Sequence, residues 1–222
     1  MTIKECYLYV LDRLNNNTTN SNQEITGHSF IRTMRAATYL WVDQRITNQE
    51  VTAKVQQELQ RLVVTKKLTG QKKDGFYRFV LPSNFYHRIN FRVAATSTVH
   101  NCESMLEGVL VESANLASYL NGDDTRPNFE FEQTIVTIEG DHINVYYRDF
   151  TVDHLLLTYY RKPVSVNMAT GFHDENNIPT VDVNPEFDDS DVYEILNLTA
   201  LMIAGDTSSP KYQPIGVLAQ AK

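Results

Sequence analysis

Long apolar runs are missing from this chain. No stretch approaches the roughly 20 residues needed to cross a bilayer, and Met1-Thr2-Ile3-Lys4-Glu5-Cys6 lacks the apolar core and small-residue cleavage site of a secretion signal. A chain made and kept in a cytoplasm, with no membrane partner, is the expectation. Cysteine is scarce as well: Cys6 and Cys102 lie far apart and offer neither metal-ligand spacing nor a disulfide framework, so both are read as free thiols. With only 9 Gly and 7 Pro in 222 residues, the composition is neither fibrous nor low-complexity. Positive charge is in deficit, 20 Lys and Arg against 27 Asp and Glu, for a net charge of -7. Tight binding of nucleic acid needs clustered cations that displace counterions from phosphates, and this balance argues against it.

Signatures of common chemistry are also lacking. There is no G-x-S-x-G elbow, no Walker loop and no G-x-G-x-x-G fingerprint. His28, His87, His100, His142, His154 and His173 are scattered, with no H-x-x-x-H pair to put two imidazoles on one helical face. Glu186, Asp188, Asp189, Asp191 and Glu194 could offer oxygen ligands to a divalent cation. They lack the ordered spacing and turn glycine of a calcium loop, and acids at the start of a helix explain the same residues. The reading assigns no catalytic, cofactor-binding or metal residue, no cofactor and no enzymatic activity.

What is present is patterning. Hydrophobic residues make up 42% of the chain and charged residues 21%, enough apolar surface for an ordered globular core. Thr2 with Glu5 forms a capping box, and Ile3, Tyr7, Val10, Leu11 and Leu14 follow at helical spacing. The Asn-rich run 15–22 reads as an exposed loop. A second helix is predicted from near Thr26, with Phe30, Met34, Ala37 and Trp41 as its stripe. A third is predicted from Asn48, capped by Thr47 and Glu50, with Val51, Val55, Leu59, Leu62 and Val63 inward and its end before Gly70.

From about Gly75 the period becomes that of strands. Phe76 to Leu81, the turn Leu81-Pro82-Ser83-Asn84, the alternation Ile89, Phe91, Val93, and Val109 to Val111 all read as β structure, with a short helix over 113–120. Thr134 to Ile138 and Ile143 to Tyr147 form a hairpin, and Leu155 to Tyr160 adds a strand to an expected antiparallel sheet. A long connection over 165–189 precedes a last helix, 190–204, whose stripe is Val192, Ile195, Leu196, Thr199 and Ile203. The fold class is therefore α+β, with an N-terminal helical bundle, an antiparallel β-sheet region, a C-terminal helix and an extended tail. The expected regions are 1–72, 73–166 and 167–222, packed as one compact unit.

Two functional readings come from the residues. The run Tyr159-Tyr160-Arg161-Lys162, with Tyr146, Tyr147 and Arg148, could stack the bases of single-stranded nucleic acid, or hold a glycan, on a tyrosine-rich sheet. The reading preferred here buries alternate tyrosines in the core and leaves the others to water or a partner. Apolar residues without periodicity, namely Phe172, Ile178 and Val181 in the long connection and Tyr212, Ile215, Val217 and Leu218 in the tail, are the candidate assembly interface.

The strand ending Leu157-Thr158-Tyr159-Tyr160-Arg161-Lys162-Pro163, the loop after it and the helix from Asp189 to Ala204 resemble tailed-phage head-to-tail connector proteins. The likeness extends to ring and adaptor proteins below the portal and is closest to those of crAss-like, short-tailed phages. The turn Leu81-Pro82-Ser83-Asn84-Phe85-Tyr86 is similar to turns in phage structural proteins of this type. The resemblance implies a non-catalytic virion protein made in a bacterial host cytoplasm, forming a dodecameric ring. Its partners would be other copies of itself, the portal protein and adjacent tail or ring proteins. DNA would pass through the channel without tight binding, as a negatively charged subunit favours.

Overall fold

The structure, a computed structural model, describes residues 1–16, 25–47, 57–99, 102–169 and 181–206. In chain order its elements are α1 (Ile3–Asn16), α2 (Gly27–Thr47), a 3-10 turn (Gln60–Leu62), β1 (Val63–Leu68), β2 (Gln71–Lys72), β3 (Phe76–Val80), β4 (Phe85–Ser97) and β5 (Glu103–Leu110). There follow a 3-10 turn (Ser113–Asn115), α3 (Leu116–Asn121), β6 (Gln133–Glu139), β7 (His142–Tyr146), β8 (Phe150–Arg161) and α4 (Asp189–Asp206). The fold is α+β. The chain divides into two compact units, one made of residues 1–61 with 163–222 and the other of 62–162. These divisions fall at 62 and 163, where the sequence reading placed boundaries at 73 and 167.

The first unit is helical. The capping box forms as read: Thr2 N–H donates to Glu5 Oε2 at 2.7 Å and Glu5 N–H to Thr2 Oγ1 at 3.3 Å, satisfying donors that α1 cannot pair internally. Ser29 N–H donates to Thr26 Oγ1 at 3.2 Å and starts α2. Both helices pack on α4, and every residue of its expected stripe is buried. Aromatic edges key the packing of this unit, with ring centroids 5.3 Å apart for Tyr7 of α1 and Phe30 of α2, 5.2 Å for Tyr9 of α1 and Tyr193 of α4, and 5.2 Å for Trp41 of α2 and Phe187 just before α4. Buried Thr38 and Thr199 donate to carbonyls one turn back, Met34 O and Ile195 O, each at 2.8 Å, so neither hydroxyl is left unsatisfied.

The start expected for the third helix lies outside the described residues. Backbone at 57–59 is helical and Leu59 and Leu62 are buried as expected. Val63 is not helical: it opens β1, which pairs antiparallel with β8 from Val63↔Tyr160 to Leu68↔Leu155. The β-branched run Val63-Val64-Thr65 fits a pleated surface better than a crowded helix, and a partner strand decides the matter.

The second unit is one eight-stranded sheet in the order β1-β8-β4-β5-β6-β7-β3-β2. Its two terminal strands are joined by Thr69 and Gly70 alone. Three Cα steps span at most about 11 Å, so the sheet has to curl until its two ends meet. Phe79, Phe91, Leu106, Val136, Ile143, Val145, Leu155, Leu157 and Tyr159, from six strands, fill the interior. Tyr159 Oη donates to Asn84 Oδ1 at 2.8 Å, which ties the Leu81–Asn84 turn to this core.

One expectation needs correction: the sheet is mixed, because β5 and β6 run parallel from Glu107↔Gln133 to Leu110↔Val136. Parallel neighbours need a crossover connection, and the segment 111–132 with α3 supplies it. Gly108 sits at this junction, where a Cβ would lie 2.6 Å from Phe91 Cβ and 2.8 Å from Val136 Cγ2. Gly108→Ala is therefore expected to destabilise the β unit by about 1–3 kcal/mol, read as a lower denaturant midpoint at unchanged slope.

Candidate functional site

Of the residues proposed from sequence as an assembly interface, Val181 is 64% exposed. Phe172, Ile178, Tyr212, Ile215, Val217 and Leu218 lie outside the described residues. Leu8, 60% exposed on α1, is a further large apolar side chain that the helical unit offers to solvent.

The acids before and within α4 are tied to specific structural partners. Asp188 pairs with Arg61, and Asp189 lies 2.8 Å from the Met1 amine. Glu186 accepts the Val164 N–H at 2.7 Å. Glu194 Oε2 accepts the indole N–H of Trp41 at 3.0 Å and pairs with Arg45, whose Nε also reaches Glu58 at 3.1 Å. Asp191 differs from the others, being buried on the first turn of the helix. Burial pushes its carboxyl above the usual carboxylate range, the charges of Glu58, Glu194 and Asp188 push the same way, and Arg45 opposes them. Among the described residues no group of three or more His, Cys, Asp or Glu is placed to hold a metal ion.

The tyrosines of the β unit divide between interior and exterior. Tyr159 is buried and Tyr160 is half-buried. Tyr147 packs against the core edge-on to Tyr77, with ring centroids 5.2 Å apart, and Lys72 Nζ sits 5.2 Å above its ring. Tyr146 leans on Phe76 across the β3–β7 pair at 5.7 Å. This alternation is the arrangement preferred on sequence grounds.

Sequence reasoning missed an open cleft of about 440 Å³ on β8, β4 and β5, lined by Ala94, Glu103, Ser104, Met105, Asp153 and His154. A bulge lies in its wall: Ala94 pairs with His154 and Ala95 with Val152, so Asp153 is the extra residue and Thr96 Oγ1 donates to it at 2.9 Å. Beside the cleft, Ser104 Oγ donates to Glu132 Oε1 at 2.7 Å. Glu132 holds a left-handed φ of 51°, and Asn128 Oδ1 accepts from the backbone N–H of Glu130 at 2.7 Å and of Phe131 at 3.2 Å. This hydrogen-bonded turn presents Phe131, 68% exposed. No periodic pattern signals a bulge or a turn of this kind.

The position of Asp191 sets a pH dependence. A carboxyl whose folded value is raised takes up its proton more readily in the folded state, so its favourable contribution is complete at low pH and is lost as pH rises through the raised value. Asp191→Asn is therefore expected to raise the melting temperature at pH 7, with the gain shrinking toward zero as pH falls below the carboxylate range. Thermal unfolding of the two proteins across pH checks this.

No protein-family model matches the chain, and no curated protein matches it.

Proposed function

We propose that this chain is a virion structural protein, a subunit of a head-to-tail connector ring that docks below the portal and forms part of the DNA channel. The observation that carries the reading is the hand-over at Pro163. Leu157 to Arg161 closes the last strand of the β unit, and the chain then enters the helical unit, whose last described element is α4. That is the order of strand, loop and helix on which the resemblance to connector proteins rests.

The surfaces support the same reading. Val181 and Leu8 on the helical unit, and Phe131 and Val99 on the β unit, are 60% or more exposed, as side chains awaiting a protein neighbour would be. The packing of Tyr147 and Tyr159 favours assembly over the alternative of a tyrosine-rich sheet that binds single-stranded nucleic acid or glycan. The role needs no reactive centre, since each subunit works by holding its neighbours in place.

Mass spectrometry and cryo-electron microscopy of purified particles test the proposal. The expected result is this chain in many copies, arranged as a ring between portal and tail. Its absence from particles that are otherwise complete would sink the reading.

A further inference from the structure

Charge in the β unit is segregated along the sequence. Residues 62–101 contain seven Lys and Arg against Asp74 alone, and residues 102–139 contain eight Asp and Glu against Arg126 alone. The first stretch supplies β1 to β4 and the second β5 and β6. Overall composition hides this, because the two halves nearly cancel.

The topology turns a sequence bias into two poles. In the strand order, β8 and β4 separate β1 from β5, and β7 and β3 separate β6 from β2. Thr69 and Gly70 join β1 to β2, so two strands intervene whichever way round the curled sheet is followed. The β1–β2 pair therefore lies across the unit from the β5–β6 pair. On one side stand Lys66, Lys67, Lys72 and Lys73, all exposed. On the other stand Glu103, Glu107, Glu130 and Glu132, also exposed.

The named side chains of the two poles form no ion pairs within the unit, although Arg92 of β4 stands opposite Glu107 in the β4–β5 register. Among the described residues none of the four lysines pairs with a carboxylate, and none of the four glutamates pairs with a cation. Arg126, the lone cation of the acidic stretch, is held by Asp123 at 2.9 Å. Each pole also carries apolar surface: Val80, 63% exposed, ends β3 on the basic side, and Phe131 stands between Glu130 and Glu132. Among the described residues β1 pairs with β8 alone, so its other edge, at the seam where the two ends of the sheet come together, has no ladder partner and is blunted by lysines.

We infer that the β unit is an interface between copies of this chain, in which the basic β1–β2 edge of one copy seats against the acidic β5–β6 face of the next. Complementary patches on opposite sides of a subunit make a head-to-tail contact, and such contacts repeat into a ring where the rotation between copies closes and into an open filament where it does not. A two-fold contact would instead set like charges against each other, which costs free energy and selects against that geometry. The inference deepens the ring reading and rests on it for the closure of these contacts into a circle.

Sedimentation of the full-length chain tests it, beside K66E/K67E/K73E and E103K/E107K/E130K, which spare Lys72 over the Tyr147 ring and Glu132 bonded to Ser104. The native chain is expected to self-associate in about 0.05 M salt, and to need roughly tenfold more protein to do so in about 0.3 M salt. Each reversed variant should stay monomeric where the native chain associates, and an equimolar mixture of the two should recover association.

A native chain monomeric at every concentration in low salt, association indifferent to salt, or variants that associate as the native chain does would each overturn the inference. Should a variant fail to fold by circular dichroism, carbodiimide cross-linking of mixed light and ¹⁵N-labelled native chains decides. Links between the lysines of one copy and Glu103, Glu107 or Glu130 of another are expected, and their absence overturns the contact. Absence from particles with self-association intact would sink the ring reading alone, whereas a monomeric chain found in particle rings would sink this contact alone.

Discussion

Thr69 and Gly70 connect the two outermost strands of the sheet, and much of the β unit follows from that short link. A flat sheet of eight strands at about 4.8 Å spacing would hold its edges more than 30 Å apart, far beyond the reach of two residues. The sheet curls, and alternate side chains from strands distant in sequence are driven into a shared interior. Gly70 is itself part of the constraint, since a Cβ there would lie 2.6 Å from the ring of Phe79, one of the largest fully buried side chains. The same closure sets β1–β2 across from β5–β6 and gives the segregated charges their opposed positions.

Much of this architecture was legible in the amino-acid order where local chemistry decides it. The capping box at Thr2 and Glu5, the stripe of α4 and the hairpin of β6 and β7 each depend on residues a few positions apart, and each appears where the spacing puts it. What local pattern could not reveal depends on distant partners. Val63 joins a strand because Tyr160 lies beside it, and β6 runs parallel to β5 because a crossover intervenes. Asp153 stands out of register because Ala94 and Ala95 pair on either side of it. The proposed interface divides in the same way. Val181 was found as an aperiodic apolar residue, while the opposed poles emerge only once the strand order is known.

Net charge is a poor guide to such a surface. A chain of -7 reads as uniformly repulsive to DNA and to its own copies, yet the β unit is close to electrically balanced and strongly polarised. Repulsion at long range and attraction at short range are compatible, because screening over about 8–10 Å confines each pole's influence to its immediate neighbourhood. The buried carboxyl of Asp191 belongs to a different level of organisation. It sits inside the helical unit, among other acids and Arg45, and its energetic cost is met by the packing of α4.

The helical unit is split in sequence, with the whole β unit inserted between residue 61 and residue 163. During synthesis, α1 and α2 leave the ribosome well before α4 exists, so Trp41 lacks its partner Glu194 while the 141 residues between α2 and α4 are translated. The inserted sheet can complete itself in that interval, since all its strands lie in one continuous stretch. Order of synthesis and order of contact thus differ in this chain, whose first-made helices wait for α4 before their shared packing can be completed.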